Sequence, residues 1–106
     1  MTKLHGILIA SMMTAGLAAA ADAKAGKASY DKACKSCHGA TDEPNAAIAK
    51  SLKVEMRHLG AKEVQALSDA ELKTIFTAGT GKMKPVKSVT GPAVDDVIAY
   101  LRTFKQ

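Results

Sequence analysis

The sequence predicts a small all-α domain of about four short helices, and three observations carry that prediction. Val94, Val97, Ile98 and Leu101 recur at i, i+3, i+4 and i+7, the spacing of one buried stripe on a helix. Ser68-Asp69-Ala70-Glu71 has the capping-box pattern, in which Ser68 and Glu71 satisfy each other's orphan amides at a helix start. No stretch alternates polar and apolar residues for long enough to suggest a half-buried strand.

The chain opens with Lys3 and has no acidic residue before Asp22. An apolar run from Ile7 to Ala21 follows, broken only by Ser11, Thr14 and Gly16, and it ends in the small-x-small sequence Ala21-Asp22-Ala23. That order describes a secretory signal peptide, here residues 1–23, cleaved to release a domain of residues 24–106 into the periplasm. A retained membrane span needs roughly 20 predominantly apolar residues, and this run is shorter and rich in alanine. With no cysteine ahead of Cys34, a lipid-anchored amino terminus has no support either. The expected product is soluble and monomeric.

Four helices are expected in the released domain. The first runs from about Gly26 to Cys34 and sets Tyr30 and Cys34 on one face. A short second helix starts near Asn45, a suitable cap, and carries Ile48 and Leu52. The third opens at the Ser68 capping box, shows one apolar face of Leu72, Ile75 and Phe76, and stops at Gly79. The last begins around Thr90 to Pro92, because proline is tolerated in a first turn, and Tyr100 and Phe104 extend its stripe. Between the last two lies Gly79-Thr80-Gly81-Lys82-Met83-Lys84-Pro85, a loop by its glycines and proline.

A core this small needs help. The 106 residues include no Trp, two Tyr and two Phe, and a domain of this length is marginal without a staple. A disulfide between Cys34 and Cys37 would close too small a loop to contribute much. The net charge of +5 is carried without interleaved aromatic and basic residues, so nothing points to nucleic acid.

Cys34-Lys35-Ser36-Cys37-His38 supplies the missing element. Two cysteines three apart at a helix end present both thiols to one side, where they can add across the vinyl groups of a haem. The histidine that follows projects to the iron from the same turn. This five-residue pattern reads as c-type haem attachment, with haem c and its iron as the cofactor. A dithiol redox pair usually lies near a βαβ pattern, which is missing here. A structural zinc site wants four ligands, and only Cys34, Cys37, His38 and His58 are on offer, poorly spaced.

With those residues in place, the chain from Gly26 to Phe104 resembles a class I cytochrome c of the short bacterial type. Gly26, Tyr30 and the attachment motif match that family's first helix, and Val97-Ile98-Ala99-Tyr100-Leu101-Arg102 matches its last. The resemblance implies that these helices cross where Gly26 permits close approach. It also implies that Met83, 45 residues after His38, is the second axial ligand, with Met56 and His58 as the other candidates. Two departures stand out. Lys84 separates Met83 from Pro85, and the stretch Gly39 to Pro44, whose proline carbonyl would accept the His38 Nδ1–H, is poor in glycine.

The function implied is single-electron transfer between redox partners, without catalysis, since no nucleophile–base arrangement is visible. Lys35, Lys82, Lys84 and Lys87 could ring the haem edge and steer a partner with an acidic docking surface. Two rivals keep the same cofactor: a haem sensor or small redox enzyme subunit with an open or labile distal site, and a subunit held by one dehydrogenase or oxidase.

Overall fold

A computed structural model describes residues 21–41 and 43–105, so the leader expected over residues 1–23 lies almost wholly outside the described residues. Six helices follow in order: α1 (Ala23–Ala33), α2 (Lys35–His38), α3 (Ala46–Leu52), α4 (Lys62–Gln65), α5 (Asp69–Ala78) and α6 (Pro92–Arg102). Among the described residues the only β feature is an isolated bridge between Thr80 and Met83. The four helices expected from periodicity are α1, α3, α5 and α6. The two additional ones, α2 and α4, span four residues each, too few for a 3.6-residue period to appear in the sequence.

Each longer helix begins at a local signal. α1 starts three residues before Gly26, because the Asp22 carboxylate accepts from the Lys24 and Ala25 N–H groups. The Asn45 side chain does the same for Ala47 and Ile48 at the start of α3. In α5 both halves of the capping box form: Glu71 N–H donates to Ser68 Oγ at 3.1 Å and Ser68 N–H to Glu71 Oε1 at 3.4 Å. Gly79, at φ +77°, then ends the helix.

The core lies where α1 crosses α6, the most extensive helix contact in the molecule. A β-carbon placed on Gly26 would stand 1.9 Å from the Asp96 carbonyl oxygen, so the two backbones meet with no room for a side chain. The stripe of α6 is buried as its spacing predicts, with Val94, Val97, Ile98 and Leu101 at 1–3 % exposure. Each is worth about 1.5–3 kcal/mol of removal from water. One turn beyond Gly26, Tyr30 is fully buried and packs edge-on against Tyr100 and Phe104, at centroid distances of 5.2 and 5.7 Å. Leu72 and Phe76 bring α5 into the same core.

Polar side chains tie the short α4 to this frame. Gln65 Nε2 donates to the carbonyls of Leu59 and Leu101 at 2.9 and 3.0 Å. Arg102 donates to the Gln65 and Leu67 carbonyls and pairs with Asp69 at the start of α5. The carboxyl end of α4 is thereby held by α6, and Gln65 ties Leu59, ahead of the helix, to the same place. Among the described residues no helix is long and apolar enough to cross a membrane.

Gly26→Val forces α1 and α6 apart at their closest point. Chemical denaturation of the haem-loaded protein should show a loss of about 3 kcal/mol or more, at the upper end of overpacking effects.

Candidate haem site

The attachment turn is built directly on the α1–α6 crossing. α1 ends at Ala33, and Cys34, whose N–H donates to the Tyr30 carbonyl, joins it to α2. The Cys34 carbonyl in turn accepts from the N–H groups of Cys37 and His38, at 3.2 and 2.9 Å. These bonds wind Cys34, Cys37 and His38 into consecutive turns, so that all three side chains line one cavity of about 840 Å³.

Beyond His38 the chain is pinned from two directions. The buried Tyr30 hydroxyl donates to the Gly39 carbonyl at 2.6 Å. Asn45 reaches back with its N–H to the Cys37 carbonyl and with its amide to the Ser36 carbonyl. Gly39, at φ +80°, sits so close to the Glu43 carbonyl that a β-carbon there would approach it to 1.9 Å. In the glycine-poor stretch before Pro44, Gly39 and Glu43 therefore approach too closely for a side chain at position 39.

Met83 enters the cavity from another wall. Thr80 and Met83 exchange two backbone hydrogen bonds of 2.9 Å around Gly81-Lys82, with Gly81 at φ +53°. Gly79 lets this turn lie flat, since a β-carbon there would come within 2.6 Å of the Met83 carbonyl and 2.9 Å of Pro85 Cδ. The Val86 N–H then donates to the Phe76 carbonyl and fastens the loop to α5. The departure noted in the sequence, Lys84 between Met83 and Pro85, leaves Met83 held at both its N–H and its carbonyl.

A third wall comes from Val54, Met56 and Leu59, backed by Val64 and Leu67. Met56 thus shares the cavity with Met83, a placement that its neighbours in the sequence gave no sign of. His58 is exposed and is not part of the lining. Lys82, Lys84 and Lys87 are exposed at the cavity wall, whereas Lys35, also exposed, lies away from it. The four zinc candidates, Cys34, Cys37, His38 and His58, do not assemble into a metal-binding group.

The donor set and the cavity fit a haem. Its volume falls within the roughly 300–1,000 Å³ of cofactor sites, and its walls are mostly aliphatic and aromatic. Cys34 and Cys37 are free thiols. Burial, with a smaller contribution from Cys37, pushes the Cys34 thiol up to about 11. A thiol held neutral is a poor nucleophile, so in the folded chain Cys34 suits a finished thioether better than a redox-active dithiol.

Comparison with known proteins agrees with this geometry. Residues 21–101 match the family model described as cytochrome c oxidase, cbb3-type, subunit III. Among solved structures, the c-type cytochrome KustC0563 is 30 % identical, with a TM-score of 0.65 over 76 % of this chain and 98 % of that one. A tyrosine-to-phenylalanine mutant of the same cytochrome is 28 % identical, with a TM-score of 0.62 and the same coverage. No curated protein matches significantly. The chain belongs to the cbb3-type cytochrome c domain family, as a small mono-haem class I cytochrome c whose cofactor is one covalently bound haem c with its iron.

Tyr30→Phe removes the hydroxyl that fixes Gly39 directly after His38. Urea denaturation should show a loss of about 1–2 kcal/mol, the cost of leaving a part-buried carbonyl without its donor.

Proposed function

We propose that this protein is a periplasmic carrier of single electrons, with haem thioether-linked to Cys34 and Cys37 and its iron held between His38 and Met83. The observation that carries the reading is the convergence of both thiols, His38 and Met83 on one apolar cavity from separate, hydrogen-bonded turns. When bound, the haem iron supplies reversible one-electron oxidation and reduction. The protein's part is to hold both ligands in place and keep water away.

His38 stays on its turn through the Cys34 carbonyl and through the Tyr30 and Asn45 contacts on either side. Met83 offers a soft thioether, which together with histidine raises the haem potential. Because its turn is fastened at both ends, a six-coordinate site is favoured over one with a labile distal ligand. Membership of a cytochrome c family supports the role of an electron carrier. The leader read from the sequence would deliver it to the periplasm.

Ferric protein at neutral pH should show the far-red sulfur-to-iron charge-transfer band. Met83→Ala should abolish the band, lower the reduction potential and allow rapid carbon monoxide binding to the ferrous form, while Met56→Ala should retain the band. Loss of the band in Met56→Ala alone would transfer the ligand role to Met56.

Lys82, Lys84 and Lys87 stand exposed on the loop that carries Met83. A positive rim there would steer a partner with an acidic docking surface. Electron transfer to such a partner should slow as ionic strength rises, because the Debye length shrinks from about 10 Å at 0.1 M to 3 Å at 1 M. Stopped-flow measurements should show a flatter salt dependence in the Lys82→Gln/Lys84→Gln/Lys87→Gln triple variant.

The matched family's description names an oxidase subunit, which favours a second reading in which the chain works within a larger complex. The near-complete coverage of KustC0563, described only as a c-type cytochrome, favours a free carrier instead. Size-exclusion chromatography of the native protein distinguishes the two: a monomer supports the carrier, and stable co-elution with an oxidase supports the subunit.

A further inference from the structure

The secretory leader read from the sequence ends in alanines that permit more than one cut: Ala19-Ala20-Ala21 offers the same small-x-small pattern as Ala21-Asp22-Ala23. A cut after Ala23 would start the chain at Lys24, the boundary expected from the sequence. The fold argues for the other. Asp22 is built into the domain by four hydrogen bonds. Its carboxylate caps α1 at Lys24 and Ala25, its carbonyl accepts the Gly26 N–H at 2.9 Å, and its own nitrogen donates to Asp96 Oδ1 on α6 at 2.8 Å.

Loss of Asp22 would be costly at a sensitive place. Gly26 is buried at the closest approach of α1 and α6, and its N–H would lose its acceptor there. The α1 cap would go as well. A new α-ammonium on Lys24 would place positive charge in the first turn of α1, against the helix macrodipole and with the compensating Asp22 carboxylate removed. Ala21, by contrast, is exposed and takes no part in these bonds. The family match also begins at residue 21.

We propose that the leader is removed between Ala21 and Asp22, and that the new α-ammonium of Asp22 forms an ion pair with Asp96. The inference rests on the reading of residues 1–23 as carrying a secretory leader. Cleavage turns the nitrogen that already donates to the Asp96 carboxylate into a cation, so a hydrogen bond charged on one side becomes an ion pair. The cut end of the chain would thereby be seated on α6 and would join the starts of the two crossing helices.

The test is the intact mass and amino-terminal sequence of the full-length chain exported by a bacterium with haem-maturation machinery. The expected product carries one haem and begins Asp22-Ala23-Lys24. A product beginning at Lys24 overturns the inference and leaves the leader reading standing, whereas an exported product still beginning at Met1 overturns both. The ion pair is tested separately with Asp96→Asn. The variant should lower the thermal midpoint of the authentic protein by about 2–4 °C, as expected for one exposed ion pair in a domain of this size. It should leave nearly unchanged a form carrying Gly-Ser ahead of Asp22, in which the Asp22 nitrogen is a neutral amide. Equal shifts in the two forms would overturn the ion pair.

Discussion

The backbone of α1 at Gly26 lies directly against the backbone of α6 at Asp96, and the rest of the molecule is arranged around that contact. Two helices can approach this closely only where one lacks a β-carbon. The crossing point sets the depth at which Tyr30, one turn later, enters the aromatic cluster with Tyr100 and Phe104. It also sets the position of Cys34, a further turn along, at the edge of the cavity. Because the attachment turn is wound on the end of α1, a shift at the crossing would move both thiols and His38 together.

The opposite side of the cavity is governed by a different kind of constraint. No long helix positions Met83; a two-residue turn does so, closed by paired hydrogen bonds, flattened against Gly79 and anchored to α5 through Val86. Such a turn fixes its backbone firmly while leaving the intervening lysine in solvent. The same short loop can therefore serve two needs. It presents Met83 to the cavity and Lys82 and Lys84 to solvent.

Much of what lines the cavity is apolar surface left open between the described core residues. A porphyrin seated between Cys34, His38, Met83 and the Val54–Leu67 wall would complete the hydrophobic core as well as supply the redox centre. Stability and electron transfer are thus coupled in one body. Small domains commonly need a staple of this kind, because too little of their surface is buried without it. Gln65 and Arg102 make the polar counterpart, holding the Leu59 and Leu67 part of the wall against the end of α6.

Features written in neighbouring residues were legible from the sequence. The α6 stripe, the Ser68–Glu71 box, the Asn45 cap, the Gly79 stop and the haem-attachment motif each depend on bonds or periods spanning a few positions, so the residues announce them directly. The resemblance to class I cytochromes c added the Gly26 crossing and the place of Met83. Only the tertiary structure decided the rest. The single-turn helices α2 and α4 have no period of their own and are fastened by residues outside them, α2 by Asn45 and α4 by Arg102. Met56 reaches the cavity wall because the fold carries its segment there. The bond from the Asp22 N–H to the Asp96 carboxylate forms because the fold brings α6 beside the start of α1. These depend on partners distant in the chain, and a hydrogen bond across 74 positions leaves no local pattern to read.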